Sequence, residues 1–115
     1  MTRGDDRGAA TVLVLAMAGL LMSVGAALAI VAAFVVAHRS AQSAADLASL
    51  AGAADLAQGR DGCGGAARVA AANQARLVSC SVVGLDIDIV VEVDGPRWWG
   101  RSTRLEGGAR AGPAP

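Results

Sequence analysis

Cysteine, histidine and carboxylate side chains are the groups in this chain with chemistry to offer, and their spacing narrows that chemistry quickly. The two cysteines, Cys63 and Cys80, flank the stretch GGAARVAAANQARLVS, and the single histidine, His38, lies far ahead of them. Two thiols cannot complete a four-ligand zinc site, so no metal is expected. A disulfide, if this part of the chain lies outside the cytoplasm, or a pair of free thiols, if it does not, are the two readings that remain. Asp86, Asp88, Glu92 and Asp94 recur at even spacing, which places them on one face of a strand. A cation site or a catalytic carboxylate pair would use such a row, but so does any solvated strand face. With no DxDxDG turn nearby, the solvated face is preferred. No Ser-His-Asp, Cys-His or phosphate-cradling glycine loop can be assembled, so the chain is not expected to be an enzyme or to hold a cofactor. Adjacent Trp98 and Trp99 point in different directions and are the candidate contact surface, the alternative being that one packs on the sheet and the other on its loop.

The elements that must position these residues begin with a charge-free stretch, residues 9–37, preceded by Arg3, Asp5, Asp6 and Arg7 and followed by His38 and Arg39. Its thirteen Leu, Ile, Val and Phe residues favour insertion by a gross figure of about 4 to 8 kcal/mol. As a helix it would be about 43 Å long against a hydrocarbon core of about 30 Å, so it spans with length to spare. A cleavable signal peptide, with Val35 and Ala37 marking the cut, is the alternative, but its apolar region would be about half as long. The flanking arginines favour the amino-terminal side inside. Gly19, Ser23 and Ala27 lie four apart, the spacing that lets a second helix approach closely, although an alanine-rich segment also produces such spacings by chance.

From residue 38 to 58 the sequence keeps strong helix formers and no proline, which predicts a helical stalk with Leu47, Leu50 and Ala54 on one face and Gln42 and Asp46 on a more polar side. Gly59, Asp61, Gly62, Gly64 and Gly65 predict a flexible loop. A short helix over 66–77 follows, with Val69, Asn73 and Leu77 on one side. Alternation of Leu85, Ile87, Ile89, Val91 and Val93 with acidic residues predicts a half-buried strand. Gly84 suggests a hairpin with residues 77–83, Gly95-Pro96 a stop, and residues 101–105 a third strand. The fold class is therefore α+β: a long transmembrane helix extended into a stalk, then a small helix and an antiparallel sheet of two to three strands. The expected division is a cytoplasmic leader 1–8, the membrane span 9–37, the stalk 38–58, an extracytoplasmic αβ domain 59–106 and a disordered tail 107–115. In so small a domain a disulfide closing a loop of about 18 residues would contribute about 3 kcal/mol. Ten arginines against ten acidic residues, with few aromatics, leave no nucleic-acid footprint.

Gly8, Ala9, Ala10, Thr11 and Val12 ahead of an uninterrupted apolar helix, together with QSAADLASLAGAA over 42–54, resemble the TadE/TadG-like proteins of tight-adherence (Flp) pilus systems. More narrowly, the chain is similar to a short actinobacterial branch encoded beside helicase and secretion genes, which has a comparable stretch between cysteines and an acidic, valine-rich strand. The resemblance implies a pseudopilin-like subunit of an envelope-spanning machine, single-pass in the cell membrane, with pilin-like or secretion-system subunits as partners through its first helix. It also implies peptidase cleavage after Gly8, leaving Ala9 as a new terminus. The family's glutamate five positions after the cut is here Leu13. An amine left unneutralised in a filament core would cost several kcal/mol. A small exported or membrane-anchored binding protein with no pilus connection is the competing reading.

Overall fold

A computed structural model of the protein describes residues 3–113, leaving aside the side chains of residues 3–5 and of Trp98. The order of elements is α1 (Arg3–Ala57), α2 (Gly62–Ala72), β1 (Arg76–Val83), β2 (Asp86–Trp98) and β3 (Arg101–Ala111), the strands forming one antiparallel sheet in the order β1-β2-β3. This is the expected α+β class. The chain divides after Ala32 into two compact units. In the first, every residue described from Asp6 onward except Ile30 is exposed, and α1 is the one helix among the described residues long and apolar enough to cross a membrane.

The second unit is built around β2. Ile87, Ile89, Val91 and Val93 fill its inner face, while Ala41, Ala44, Ala45 and Ala48 of α1 and Ala66 and Ala70 of α2 cover them. The sheet supplies the bulk and the helices supply small surfaces. That division explains how the expected helical extension is used. Its alanine face lies on the sheet, whereas Leu47 (46 % exposed), Leu50 (62 %) and Ala54 face outward. Gly107 of β3 allows the closest approach: a Cβ there would stand 2.5 Å from the Ala41 carbonyl oxygen. Beside it, Gln42 Nε2 donates to the Gly108 carbonyl at 2.8 Å, so the residue assigned to the polar side also binds the sheet.

Three further expectations are corrected. The glycines at 62, 64 and 65 belong to α2 rather than to a loop, because α1 and α2 touch there: a Cβ on Gly62 would meet Leu56 Cγ at 2.6 Å and the Gly52 carbonyl at 2.9 Å. Consequently α2 ends at Ala72 and buries Gly62, Gly65, Ala66 and Ala70. Asn73 is its exposed C-cap and Leu77 already lies in β1. After the cap, Gln74 takes φ 59°, and the Gln74 and Ala75 N–H groups close back onto Ala71 and Ala70, a Schellman ending without the usual glycine. Gly95-Pro96 does not stop β2 but interrupts its pairing with β3 between Asp94 and Arg97, as a proline inside a sheet does when it sits at a bulge. Finally, residues 107–111, expected to be disordered, pair with β2 from Gly107 opposite Val91 to Ala111 opposite Ile87. Their glycine and alanine content suits the tight approach of α1. Residues 114 and 115 of that expected tail, and 1 and 2 of the leader, lie outside the described residues.

Candidate functional site

The cysteines are joined. Cys63 in the first turn of α2 and Cys80 in the middle of β1 form a disulfide with a Cα–Cα distance of 6.0 Å, linking the second helix to the sheet's first strand. Both are half-buried beside the core, in a unit whose helical surfaces are largely alanine. Asp55 was not singled out by the sequence. It is 8 % exposed at the end of α1's alanine face, where Oδ1 accepts from Arg60 (2.7 Å) and Oδ2 from Arg68 (3.3 Å). Its carbonyl also accepts the Gln58 and Arg60 N–H groups. Gly65 leaves the space its carboxylate fills. An aspartate at the end of an alanine stripe, five residues ahead of an arginine, was the available signal.

On the sheet's outer face the even-numbered acidic residues of β2 meet arginines across the strands. Arg76 of β1 reaches Glu92 (2.8 Å) and Asp94 (3.0 Å), Arg104 of β3 approaches Glu92 (3.9 Å), and Arg110 reaches Asp86 (3.4 Å). The hydrogen bond to Asp94, followed by that to Glu92, holds the Arg76 guanidinium above its ordinary pKa. The same bond from Arg76 holds the Asp94 carboxyl below the usual carboxylate range. These are cross-strand pairs on a solvated surface, each worth little alone. No cluster of metal-binding side chains occurs among the described residues.

β2 and β3 outrun β1, whose last pair is Arg76 with Glu92, and continue as a two-stranded ribbon to the pair Trp98–Arg101. Trp99 and Gly100 alone make the turn, at φ 51° and 74°, so both central residues occupy the left-handed region that a type I′ turn requires. Asparagine is the ordinary choice at the first position; an indole there costs on the order of 1 kcal/mol. The turn holds Trp99 86 % exposed. Thr103 Oγ1 donates to the Pro96 carbonyl across the bulge. The Trp98 side chain, the other half of the expected contact surface, is outside the described residues.

In α1 the remaining sites lie on exposed helix. Gly8 and Ala9 are helical and open to solvent, with nothing within 4 Å of where a Gly8 Cβ would be. Gly19, Ser23 and Ala27 are exposed along one side, and the Ser23 hydroxyl donates to the Gly19 carbonyl at 2.8 Å. Thr11 does the same to the Arg7 carbonyl at 3.0 Å. Each hydroxyl in the apolar stretch is thus satisfied within its own helix, as a lipid environment demands.

Residues 8–55 match the family model described as "Putative Flp pilus-assembly TadE/G-like". The match opens at Gly8, takes in the apolar stretch, and closes at Asp55, the last residue of the alanine face. No curated protein and no solved structure matches the chain.

Proposed function

We propose that the chain is a membrane-anchored, pseudopilin-like assembly subunit of a Tad-type envelope machine. Residues 9–37 cross the membrane, residues 1–8 face the cytoplasm, and the chain from residue 38 onward stands outside it. The carrying observation is that the TadE/G-like match coincides with the apolar half of α1 and with the alanine face on which the sheet is built. A disulfide between Cys63 and Cys80 fits an extracytoplasmic position for that part of the chain. The narrower likeness to a short actinobacterial branch with secretion-gene neighbours belongs to the same proposal. On this reading the partners are homologous helices, and Gly19, Ser23 and Ala27 form the side on which one approaches closely.

Gly8 and Ala9 carry the processing step. Leu13 stands where a carboxylate would neutralise a freed amine, so either Ala9 is never freed or the chain does not pack inside a standard filament. The mass of the mature protein recovered from its membrane is the test. Loss of residues 1–8 supports pilin-like processing, an intact chain supports a permanent anchor in the same machine, and loss of residues 1–37 overturns the proposal in favour of a secreted binding protein. Gly19→Leu is expected to abolish crosslinking to a partner helix while leaving insertion unchanged; full crosslinking in that variant would remove the packing role.

A further inference from the structure

We infer that the chain binds a second copy of itself head to tail, the tip of one copy's β2–β3 ribbon seating in a hollow at the opposite end of another copy's sheet. Both surfaces belong to the unit from residue 33 onward, so the inference does not depend on how that unit sits relative to the first. It goes beyond the assembly role proposed above, which places partners on α1, by naming a partner and a surface within the second unit. The hollow lies on the sheet's outer face. Ser81 and Val83 of β1, Asp86 and Asp88 of β2 and Arg110 of β3 line it, and its volume is about 100 Å³. The strand register sets Ser81 and Arg110 on either side of Asp88, and Val83 opposite Asp86. Val83 (72 % exposed), and Leu85 (50 %) in the adjoining turn, present aliphatic surface to solvent beside the carboxylates. Arg110 reaches Asp86 at 3.4 Å and Asp88 is exposed. Two carboxylates against one guanidinium leave the hollow negative.

The tip has the opposite character. Between Gly95 and Leu105 the sequence holds Arg97, Arg101 and Arg104 and no acidic residue. Arg97 and Arg101 are exposed and flank the turn, while Arg104 stands further back, opposite Asp94. The turn keeps Trp99 exposed at its head, at a positive φ where asparagine would serve the backbone better. An apolar ring between two guanidinium groups matches a hollow that sets aliphatic side chains beside carboxylates. In the contact the indole covers Val83 and Leu85, and Arg97 and Arg101 meet Asp86 and Asp88. Tryptophan and arginine are the residue types that most often anchor protein interfaces. Distance assigns the two surfaces to different copies: about 40 Å of strand separates Asp86 from Trp98, so a tip never reaches its own chain's hollow. Tip against tip, or hollow against hollow, would bring like charges together. Unlike ends of one sheet instead make a heterologous contact, which repeats into a ring or an open string.

The test uses the full chain in detergent micelles with Gly19→Leu, which takes close packing between α1 helices out of the measurement. With Trp99 replaced by the photocrosslinker p-benzoylphenylalanine, irradiation is expected to join position 99 to residues 81–88 of another copy. Charge reversal gives a second readout. Arg97→Glu with Arg101→Glu, and separately Asp86→Arg with Asp88→Arg, should each weaken self-association in sedimentation by about tenfold or more. An equimolar mixture of the two double variants should recover it, because each reversed surface then meets its complement. Adducts confined to detergent, to another tip or to a different surface overturn the inference. So does a mixture that associates no better than its components. Loss of the thermal transition in circular dichroism would identify a reversal that has failed to fold, and the crosslink from position 99 then decides. Failure of the head-to-tail contact leaves the anchored assembly role standing, since that role is tested by the mature mass and by crosslinking along α1.

Discussion

The two halves of α1 are built from nearly the same small residues and put them to opposite use. Over residues 9–37, alanine and glycine are interleaved with Leu, Val, Ile and Met, and in the first unit the large side chains stand exposed around the helix. Over residues 41–55, alanine is the buried residue, and the large side chains, Leu47 and Leu50, are again the ones left outside. In the first half none of the described residues covers the large side chains, an exposure that fits a single-pass membrane anchor. In the second, the sheet brings Ile87, Ile89, Val91 and Val93 to the helix, and only a face of small residues lets four branched side chains come within contact. Hydrophobicity alone does not distinguish the two situations; what the rest of the chain can supply does.

Substitutions that thicken the small face break this arrangement most severely. Gly107→Leu would place a side chain 2.5 Å from the Ala41 carbonyl oxygen and 2.8 Å from the Gln42 nitrogen. Backbone cannot yield as a side-chain tip can, so the cost is expected at about 3 kcal/mol or more. In a unit this small that abolishes a cooperative thermal transition, followed by circular dichroism in micelles, while insertion of α1 persists. Next in size is the disulfide. Cys63→Ser with Cys80→Ser releases a loop of sequence separation 17 and should cost about 3 kcal/mol, a fall in Tm on the order of 10–20 °C. A midpoint unchanged by the paired substitution would show that the helical cover is stable without its staple.

A smaller contrast sharpens the point within a single turn of helix. Leu50→Gln is expected to change stability by less than about 0.5 kcal/mol, since the side chain is exposed in this unit. Ala48→Gln, two residues earlier on the buried face, is expected to cost about 1–3 kcal/mol. If Leu50→Gln proved the more damaging, the orientation of the helix on the sheet would be wrong.

This contrast also shows where the sequence was legible. The charge-free stretch and the alternation along residues 85–94 each state a burial pattern by themselves, and both elements stand where they were expected. The hairpin at Gly84 was equally plain, with Val83 pairing to Asp86 across a turn whose glycine has φ 63°. The helix face over 41–55 was not legible, because a search for large apolar residues selects Leu47 and Leu50, and the information lies instead in what β2 presents. Gly62, Gly65 and Gly107 look like loop or tail in the sequence for the same reason. A glycine that lets two backbones meet and a glycine that lets a chain bend look alike until the partner surface is known. Of the candidate site, the cysteines could be read subject to topology, and the tryptophan pair could be flagged but not placed, since the length of the ribbon depends on a bulge at Gly95-Pro96 that resembles a stop.

The least costly break concerns the sheet's outer face, where Arg76 joins β1 to Asp94 and Glu92 at the root of the ribbon. Asp94 titrates below the ordinary carboxylate range because Arg76 donates a hydrogen bond to its charged form. A carboxyl depressed in the folded state contributes stability that is present above its unfolded pKa, about 3.9, and is lost as pH falls through the folded value. The pair therefore acts fully at neutral pH and weakens only in acid, below about pH 4. Both groups are solvent-exposed, so the effect on global unfolding is small and salt-sensitive. A carbon-detected titration of Asp94 is the direct measurement: Arg76→Gln should raise its midpoint toward the ordinary range. An Asp94 midpoint unmoved by that substitution would mean that the ribbon's root is held by the backbone ladder alone.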